Sequence, residues 1–197
     1  MIGRVRTVLL VLAGMVAPAQ ASPAMINTAD APALAAWSEL CRQSPAECAL
    51  DPAEPETVAS TPETRELIQA VNSYVNRTIT PMTDPDYRGV TDRWEYPTEG
   101  LGDCEDYQLL KRKLLVEAGL PKRALLMTVV INQKGEGHAV LTVRLDGEDV
   151  ILDNQTNAIL RWDRTGYEFI KREALTRTGW AFVQPGPETA VVTAAAK

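Results

Sequence analysis

The sequence of 197 residues contains a single histidine, His138, and only three cysteines. A metal site built from several histidines is therefore excluded, and any histidine that acts as a general base must be His138. A zinc site made from Cys104, His138 and Asp153 remains an alternative reading, but these residues lack the close ligand spacing of a zinc motif.

Positive charge is also scarce. The chain has 20 basic and 26 acidic side chains, which gives a net charge of −6 at pH 7. A protein with this balance would repel the phosphates of a nucleic acid, so the composition argues against a nucleic-acid partner. The excess of acidic side chains is compatible with a cation-binding site.

The apolar stretch at 8–16 is too short to span a bilayer. It follows two arginines and precedes a small-residue sequence at 19–21, which is the pattern of an export signal with its cleavage site. We expect residues 1–21 to be a signal peptide, the mature chain to start at Ser22, and no stable membrane insertion. A retained membrane anchor is the alternative.

Two of the cysteines lie near each other, since six residues separate Cys41 from Cys48. In an oxidising compartment this pair can close a small disulfide loop. Cys104 is then left over, either as a small buried apolar residue or as a reactive thiol.

Periodicity divides the rest of the chain into an N-terminal segment and linker at 22–62, a domain at 63–185 and a flexible tail at 186–197. A helix is predicted from Thr61, and a second from Cys104 to Ala118 with Asp103 as its cap. Strand patterns follow, and they predict one antiparallel sheet of an α+β fold. The segments concerned are 125–131, 138–145, 149–153, 158–162, 167–170 and one starting at Trp180.

A hairpin turn at Asp146-Gly147 would pair Val140 with Asp153 and place His138 on the same face as that acid. Asp153 could then orient the imidazole, while Cys104, at a helix N-terminus, receives help from the helix dipole in forming a thiolate. Each residue also has an ordinary structural explanation. Their order, the uniqueness of the histidine and the shared face together favour a thiol nucleophile, its base and an orienting acid.

Acidic residues surround the cysteine at Asp103, Glu105 and Asp106. Their charge would raise the pKa of Cys104 and oppose thiolate formation. Two explanations stay open: the carboxylates cap the helix, or they hold a hard cation, for which calcium is better suited than a soft transition metal.

The motifs in segments 94–107, 137–141 and 152–154 resemble the bacterial transglutaminase-like cysteine proteinases. The similarity extends from about Leu67 to Trp180. It implies a papain-like or transglutaminase-like core, in which N-terminal helices pack on the sheet and the nucleophile lies at a helix N-terminus. It implies catalysis by Cys104, His138 and Asp153, and calcium bound first by Asp103 and Glu105 and also by Asp106.

The resemblance further implies a periplasmic enzyme that cleaves next to a pair of small residues in the N-terminal region of a large surface adhesin, which releases the adhesin in biofilm dispersal. Relatives of this type are restrained by an inner-membrane receptor for cyclic di-GMP, and Trp94 is the residue expected to engage it. Two alternatives remain: a transglutaminase-type acyl transferase, and a calcium-binding or receptor-binding module without turnover.

Overall fold

A seven-stranded antiparallel sheet forms the centre of the structure, a computed structural model that describes residues 24–184. The predicted signal peptide, the start at Ser22 and the tail at 186–197 lie outside these residues. Helices cover the sheet, so the predicted α+β class is confirmed.

Nine strands and five α-helices are described between residues 24 and 184. The strands are β1 (Ile26–Ala31), β2 (Thr80–Pro81), β3 (Leu101–Gly102), β4 (Leu125–Ile131), β5 (Gly137–Leu145), β6 (Glu148–Leu152), β7 (Leu160–Arg161), β8 (Glu168–Glu173) and β9 (Trp180–Gln184). The helices are α1 (Ala35–Gln43), α2 (Pro45–Cys48), α3 (Pro62–Thr78), α4 (Asp84–Tyr87) and α5 (Cys104–Glu117). The main sheet has the order β1-β9-β8-β4-β5-β6-β7, and β2 pairs with β3 in a small parallel sheet.

Local signals in the sequence place several elements correctly. The Thr61 side chain accepts a hydrogen bond from the Thr64 amide at 3.2 Å and caps α3. Strand β4 covers the predicted residues 125–131. The short polar strand β1 has no alternating apolar pattern, and the sequence did not predict it; it forms an edge strand beside β9.

The N-terminal residues share the core of the rest of the chain. Trp37 of α1 packs edge-on against Trp180, with ring centroids 5.8 Å apart. In the predicted linker, the Val58 amide donates to the carbonyl oxygen of Arg144 at 2.9 Å. A disulfide joins Cys41 to Cys48, as the spacing allowed.

The spacing of Tyr107, Leu110, Leu114 and Ala118 predicts one apolar face on α5, whereas the helix is buried on two sides. Tyr107 packs on α3 as this face predicts, but Ala118 is exposed. A second buried side, with Leu109 and Leu115, faces the core of the main sheet. The sequence hides this side because it also carries buried polar residues, such as Arg112, which pairs with Glu173 at 2.8 Å.

Among the described residues, no helix combines the length and the apolar character that crossing a membrane requires.

Candidate active site

Cys104 is the first residue of α5, where the helix N-terminus meets the start of β5. Its Sγ atom accepts a hydrogen bond from the Ala139 amide at 3.4 Å. Ala139 directly follows His138, so this contact brings the thiol beside the backbone of the only histidine. Cys104 is a free, partly exposed thiol, whereas Cys41 and Cys48 are joined in a disulfide.

The β5–β6 hairpin brings His138 and Asp153 together. The register follows the predicted two-residue turn, with Leu145 opposite Glu148 and Leu141 opposite Leu152. Strand β6 ends at Leu152, so Asp153 lies just beyond the ladder. His138 Nε2 is 2.9 Å from Asp153 Oδ1, and both side chains are almost fully buried.

Asp153 accepts hydrogen bonds on both carboxylate oxygens. The Gln155 amide donates to Oδ1 at 2.9 Å, and the Tyr167 hydroxyl donates to Oδ2 at 2.5 Å. Burial by itself would raise the pKa of Asp153, but the hydrogen bonds from His138, Gln155 and Tyr167 bring that pKa below its ordinary value. Asp153 is therefore an anion that can hold an imidazole ring.

Tyr167 was missed in the sequence. It precedes β8 and contacts the site only through the fold, so no local motif marks it. Its ring also lies edge-on to the imidazole of His138, with centroids 5.9 Å apart.

The thiol of Cys104 is held in its protonated form. Burial raises the pKa of Cys104 well above its usual value, and the negative charge of Glu105 raises it further. The thiol donates a hydrogen bond to Glu105 Oε2 at 3.1 Å. Burial and the flanking acids therefore both oppose formation of the thiolate in this arrangement.

Three carboxylates converge next to the cysteine. Oxygen atoms of Asp84, Asp103 and Glu105 lie within 4.8 Å of one another. The sequence pointed to Asp103 and Glu105 but not to Asp84, which arrives from the short helix α4 in the loop before the cysteine.

Among the described residues, these carboxyl groups form no salt bridge, and Arg88 and Arg93 of the same loop pair with Glu95 instead. Burial raises the pKa of Asp84 and that of Asp103, and burial together with the charge of Asp103 raises the pKa of Glu105 to about 10. Within residues 24–184, the buried Oδ1 atom of Asp103 has no hydrogen-bond partner. A set of hard oxygen donors, one of them unsatisfied, fits a calcium ion.

The helix-capping explanation fits less well. Asp103 occupies the N-cap position of α5, as predicted, but its side chain forms no capping hydrogen bond to a backbone amide of that helix. Asp103 is therefore the N-cap residue without capping through its carboxylate.

Asp106 is not one of the three converging carboxylates, although burial, with the negative charges of Asp103 and Asp84, raises its pKa to about 8. Its Oδ1 atom accepts a hydrogen bond from the Glu95 amide at 2.9 Å, so it holds the preceding loop. A Cβ atom at position 102 would lie 2.9 Å from the Cβ atom of Asp106, so this packing requires a glycine there. The close contact with Asp106 accounts for a glycine at this position.

Trp94 is buried in the hydrophobic core, with only 5% of its surface exposed. Its ring packs edge-on against Trp180, with centroids 6.1 Å apart. The expected contact between Trp94 and a receptor stays a prediction, which this burial disfavours because a partner would meet the surrounding loop first.

A cavity of about 290 Å³ opens beside Asp153, and neither Cys104 nor His138 is among its lining residues. Asp153 and Tyr167 both line it. The rest of the lining combines apolar and uncharged polar side chains, among them Ile151, Leu160 and Gln155. The cavity is wide enough for a side chain of a bound polypeptide.

Comparison with known proteins finds a protein family and several solved structures that are similar to this chain. The sequence model of the bacterial transglutaminase-like cysteine proteinases matches residues 25–186. Calcium-bound LapG of Legionella pneumophila has a similar structure, with a TM-score of 0.53 and 26% identity over 63% of this chain and 71% of that chain. A second LapG structure from this organism gives 0.53 and 24% over 70% and 78%, and an EGTA-treated form gives 0.52 and 24% over 68% and 76%. None of the curated proteins compared with the chain matches it.

Proposed function

The chain belongs to the bacterial transglutaminase-like cysteine proteinases, and from this membership we propose that it is an exported, calcium-dependent endopeptidase in which Cys104, His138 and Asp153 carry out the reaction. The observation that supports these roles best is the meeting of three elements. Helix α5 brings the thiol to the start of β5, and the β5–β6 hairpin brings the acid to the histidine.

The hydrogen bond to Asp153 decides which ring nitrogen of His138 reacts. Nε2 is engaged by the carboxylate, so Nδ1 is the atom that takes the proton from the Cys104 thiol. Asp153 fixes the orientation of the ring and stabilises the imidazolium that forms, while remaining ionised itself.

The reaction then proceeds in two stages. The Cys104 thiolate adds to the carbonyl carbon of the scissile peptide bond, and the imidazolium of His138 gives its proton to the leaving amine, which leaves a thioester. A water molecule, deprotonated by His138, attacks the thioester, and the imidazolium returns that proton to the departing thiolate. The product leaves as a carboxylic acid, which loses its own proton to solvent. The backbone N–H of Cys104, at the start of α5, is in place to stabilise the oxyanion of each stage.

Calcium dependence is supported by the converging carboxylates of Asp84, Asp103 and Glu105 and by the similarity to a LapG structure in the calcium-bound state. When bound, a divalent cation supplies the positive charge that these buried carboxylates lack. Glu105 links this set of acids to the reaction because its Oε2 atom also accepts the hydrogen bond of the Cys104 thiol.

The proposed substrate is the N-terminal region of a large surface adhesin, cut next to a pair of small residues to release it in biofilm dispersal. The proposed regulator is an inner-membrane receptor for cyclic di-GMP, and the proposed location is the periplasm. These assignments follow from the family resemblance and from the similarity to LapG. The predicted signal peptide supports export.

The proposal is tested by incubating the protein without its signal with an adhesin N-terminal fragment, in calcium or in EGTA. We expect cleavage in calcium only, and none by C104A in either condition. Chelator-insensitive cleavage would remove calcium from the proposal, and cleavage by C104A would overturn the nucleophile.

Two further measurements address the alternatives. A labelled primary amine added to the reaction would be incorporated by an acyl transferase, whereas a peptidase releases free carboxylate. A thiol-directed inhibitor labels Cys104 rapidly and stoichiometrically in an active peptidase, and leaves it unlabelled in a binding module.

A further inference from the structure

Tyr167 contacts both members of the histidine–aspartate pair. Its hydroxyl group donates to Asp153 Oδ2 at 2.5 Å, and its ring lies edge-on to the imidazole of His138 at 5.9 Å with an interplanar angle of 77°. An edge-to-face contact of this kind restricts rotation of both rings.

The two oxygens of the Asp153 carboxylate are held very differently. Oδ1 lies within hydrogen-bond distance of His138 Nε2 and of the Gln155 amide, each at 2.9 Å. Among the described residues, Oδ2 has one donor, the hydroxyl of Tyr167. Asp153 is 2% exposed, so water replaces a lost donor poorly there. Without the hydroxyl, the carboxylate would keep contacts on one oxygen only and could rotate.

The turn before β8 fixes the backbone of Tyr167. Its amide donates to Thr165 Oγ1 at 3.2 Å, and that hydroxyl group donates to the Trp162 carbonyl oxygen at 2.9 Å. From the other side, Gln133 Nε2 donates to the Thr165 carbonyl oxygen at 2.6 Å. The side chain of Tyr167 is therefore presented from a turn that is itself anchored, as a precise orienting group requires.

Another role for Tyr167 has to be separated from this one. The residue also lines the cavity of about 290 Å³ beside the site, together with Leu160 and Thr165. A tyrosine that serves only as a wall of a substrate pocket would change KM when it is altered. A tyrosine that orients the reacting groups would change kcat.

We propose that Tyr167 is a positioning residue, whose hydroxyl group fixes the second oxygen of Asp153 and whose ring fixes the imidazole of His138. This inference rests on the proposed function, because the histidine and the aspartate are assigned their roles there. It adds a fourth side chain, which touches neither the thiol nor the scissile bond and acts through Asp153 and His138.

The first test compares three variants in steady-state cleavage. Y167F keeps the ring and loses the donor, so we expect kcat to fall about tenfold with KM within about twofold, the size of one lost hydrogen bond to a charged group. Y74F is the matched control, because Tyr74 is 51% exposed on the surface of α3; it should behave as the wild type. L160A alters the cavity without touching the pair, and a change of its KM alone would identify the cavity as part of the substrate site.

The second test needs no substrate. His138 is the only histidine, so ¹⁵N-labelled protein carrying no histidine tag gives a single set of imidazole signals. We expect the wild type to show the tautomer with its proton on Nε2. In Y167F we expect shifted Nε2 signals and an Nε2 proton that exchanges with water about fivefold faster, since the carboxylate that accepts it is less ordered. Y74F should leave the signals unchanged.

The outcomes are distinct. A lower kcat together with altered imidazole signals in Y167F supports the proposal. Unchanged kcat with unchanged signals overturns it, and so does a change confined to KM, which would make Tyr167 a pocket wall. If the wild type cleaves no adhesin fragment but Y167F still alters the imidazole signals, the proposed function fails and the positioning role stands.

Discussion

His138 Nε2 and Asp153 Oδ1 lie 2.9 Å apart, although the two residues are outside each other's strand ladder. The hairpin ladder ends at Leu141 and Leu152, and the chain then turns so that the Gln155 amide reaches the same oxygen. This turn converts a diagonal relationship between two strands into a direct hydrogen bond. The position of the Asp153 carboxylate therefore depends on the local backbone geometry after β6 as well as on the register of the hairpin.

Changing Asp153 to Asn should reduce kcat by about 10²-fold or more. An amide can present its NH₂ group to the ring and favour the wrong tautomer of His138, and it cannot stabilise an imidazolium. Cleavage rates of purified D153N, with circular dichroism as a check on folding, measure the effect. D163N is a control, because Asp163 is exposed and forms a salt bridge with the nearby Arg161. Wild-type activity in D153N would show that another group orients the histidine.

The composition of the cation site gives a second prediction. D84N should raise the Kd for calcium at least about tenfold, because Asp84 supplies one of the three converging carboxylates. D86N, on the same short helix, should bind calcium as the wild type does, since Asp86 is exposed and bonded to Thr83. Calorimetric titration of each variant in a C104A background, which blocks self-cleavage, compares the affinities.

Asp106 provides the opposing case. D106N should keep calcium affinity within about threefold of the wild type, because Asp106 Oδ1 accepts from the Glu95 amide and Asp106 is not one of the three converging carboxylates. If D106N abolished binding and D84N did not, the ligand set expected from the sequence would be restored.

Local patterns in the sequence were sufficient for the elements that carry the chemistry. The helix starting at Cys104 and the hairpin turn at Asp146-Gly147 both depend on short-range signals, and the structure has both. Once the turn residues are known, counting back along both strands shows that His138 and Asp153 lie on the same face of the hairpin. The family resemblance, confirmed by the match over 25–186, rests on the same short segments.

The contributions from distant parts of the chain could not be predicted in this way. Asp84 reaches the acids across a loop of irregular structure, and Tyr167 reaches Asp153 only because β8 lies beside β4. Strand β1 is polar and pairs at the sheet edge, so its formation depends on the partner strand β9 more than on its own pattern. Each of these features depends on tertiary contacts and leaves no periodic pattern in the sequence.

The disulfide gives a prediction about stability. Replacing Cys41 and Cys48 by serine should lower the free energy of unfolding by about 2–3 kcal/mol, since the bond closes a short loop and restricts the unfolded chain. Urea unfolding of the double variant measures the loss, and wild type in reductant should show a similar one. Cleavage should persist at low temperature, because the loop packs far along α5 from the thiol through the contact of Arg112 with the Glu47 carbonyl. Loss of activity in the folded double variant would mean that this segment helps to form the site.

Lys111 is the most unusual buried group of α5. It is completely buried, and within residues 24–184 its Nζ atom has no hydrogen-bond partner. Burial lowers the pKa of Lys111 to about 7, although the negative charge of Asp153 acts in the opposite direction. The folded protein therefore binds this proton less well than the unfolded chain, in which the ordinary value of 10.5 applies.

The contribution of Lys111 to the stability of the fold changes with pH. Between about pH 7 and pH 10 the unfolded state holds more protons at Lys111 than the folded state, so the contribution of this residue to stability becomes more favourable as the pH rises. K111M removes the effect and should be more stable than the wild type at pH 7, and that advantage should shrink by about 1–2 kcal/mol at pH 9. Urea unfolding at both values in saturating calcium measures it, and other titrating groups contribute equally to both proteins. K113M, at an exposed position two residues further along, should show no such change. An advantage of K111M that stays constant with pH would mean that the lysine keeps its proton in the folded state, with Asp153 as its counter-charge.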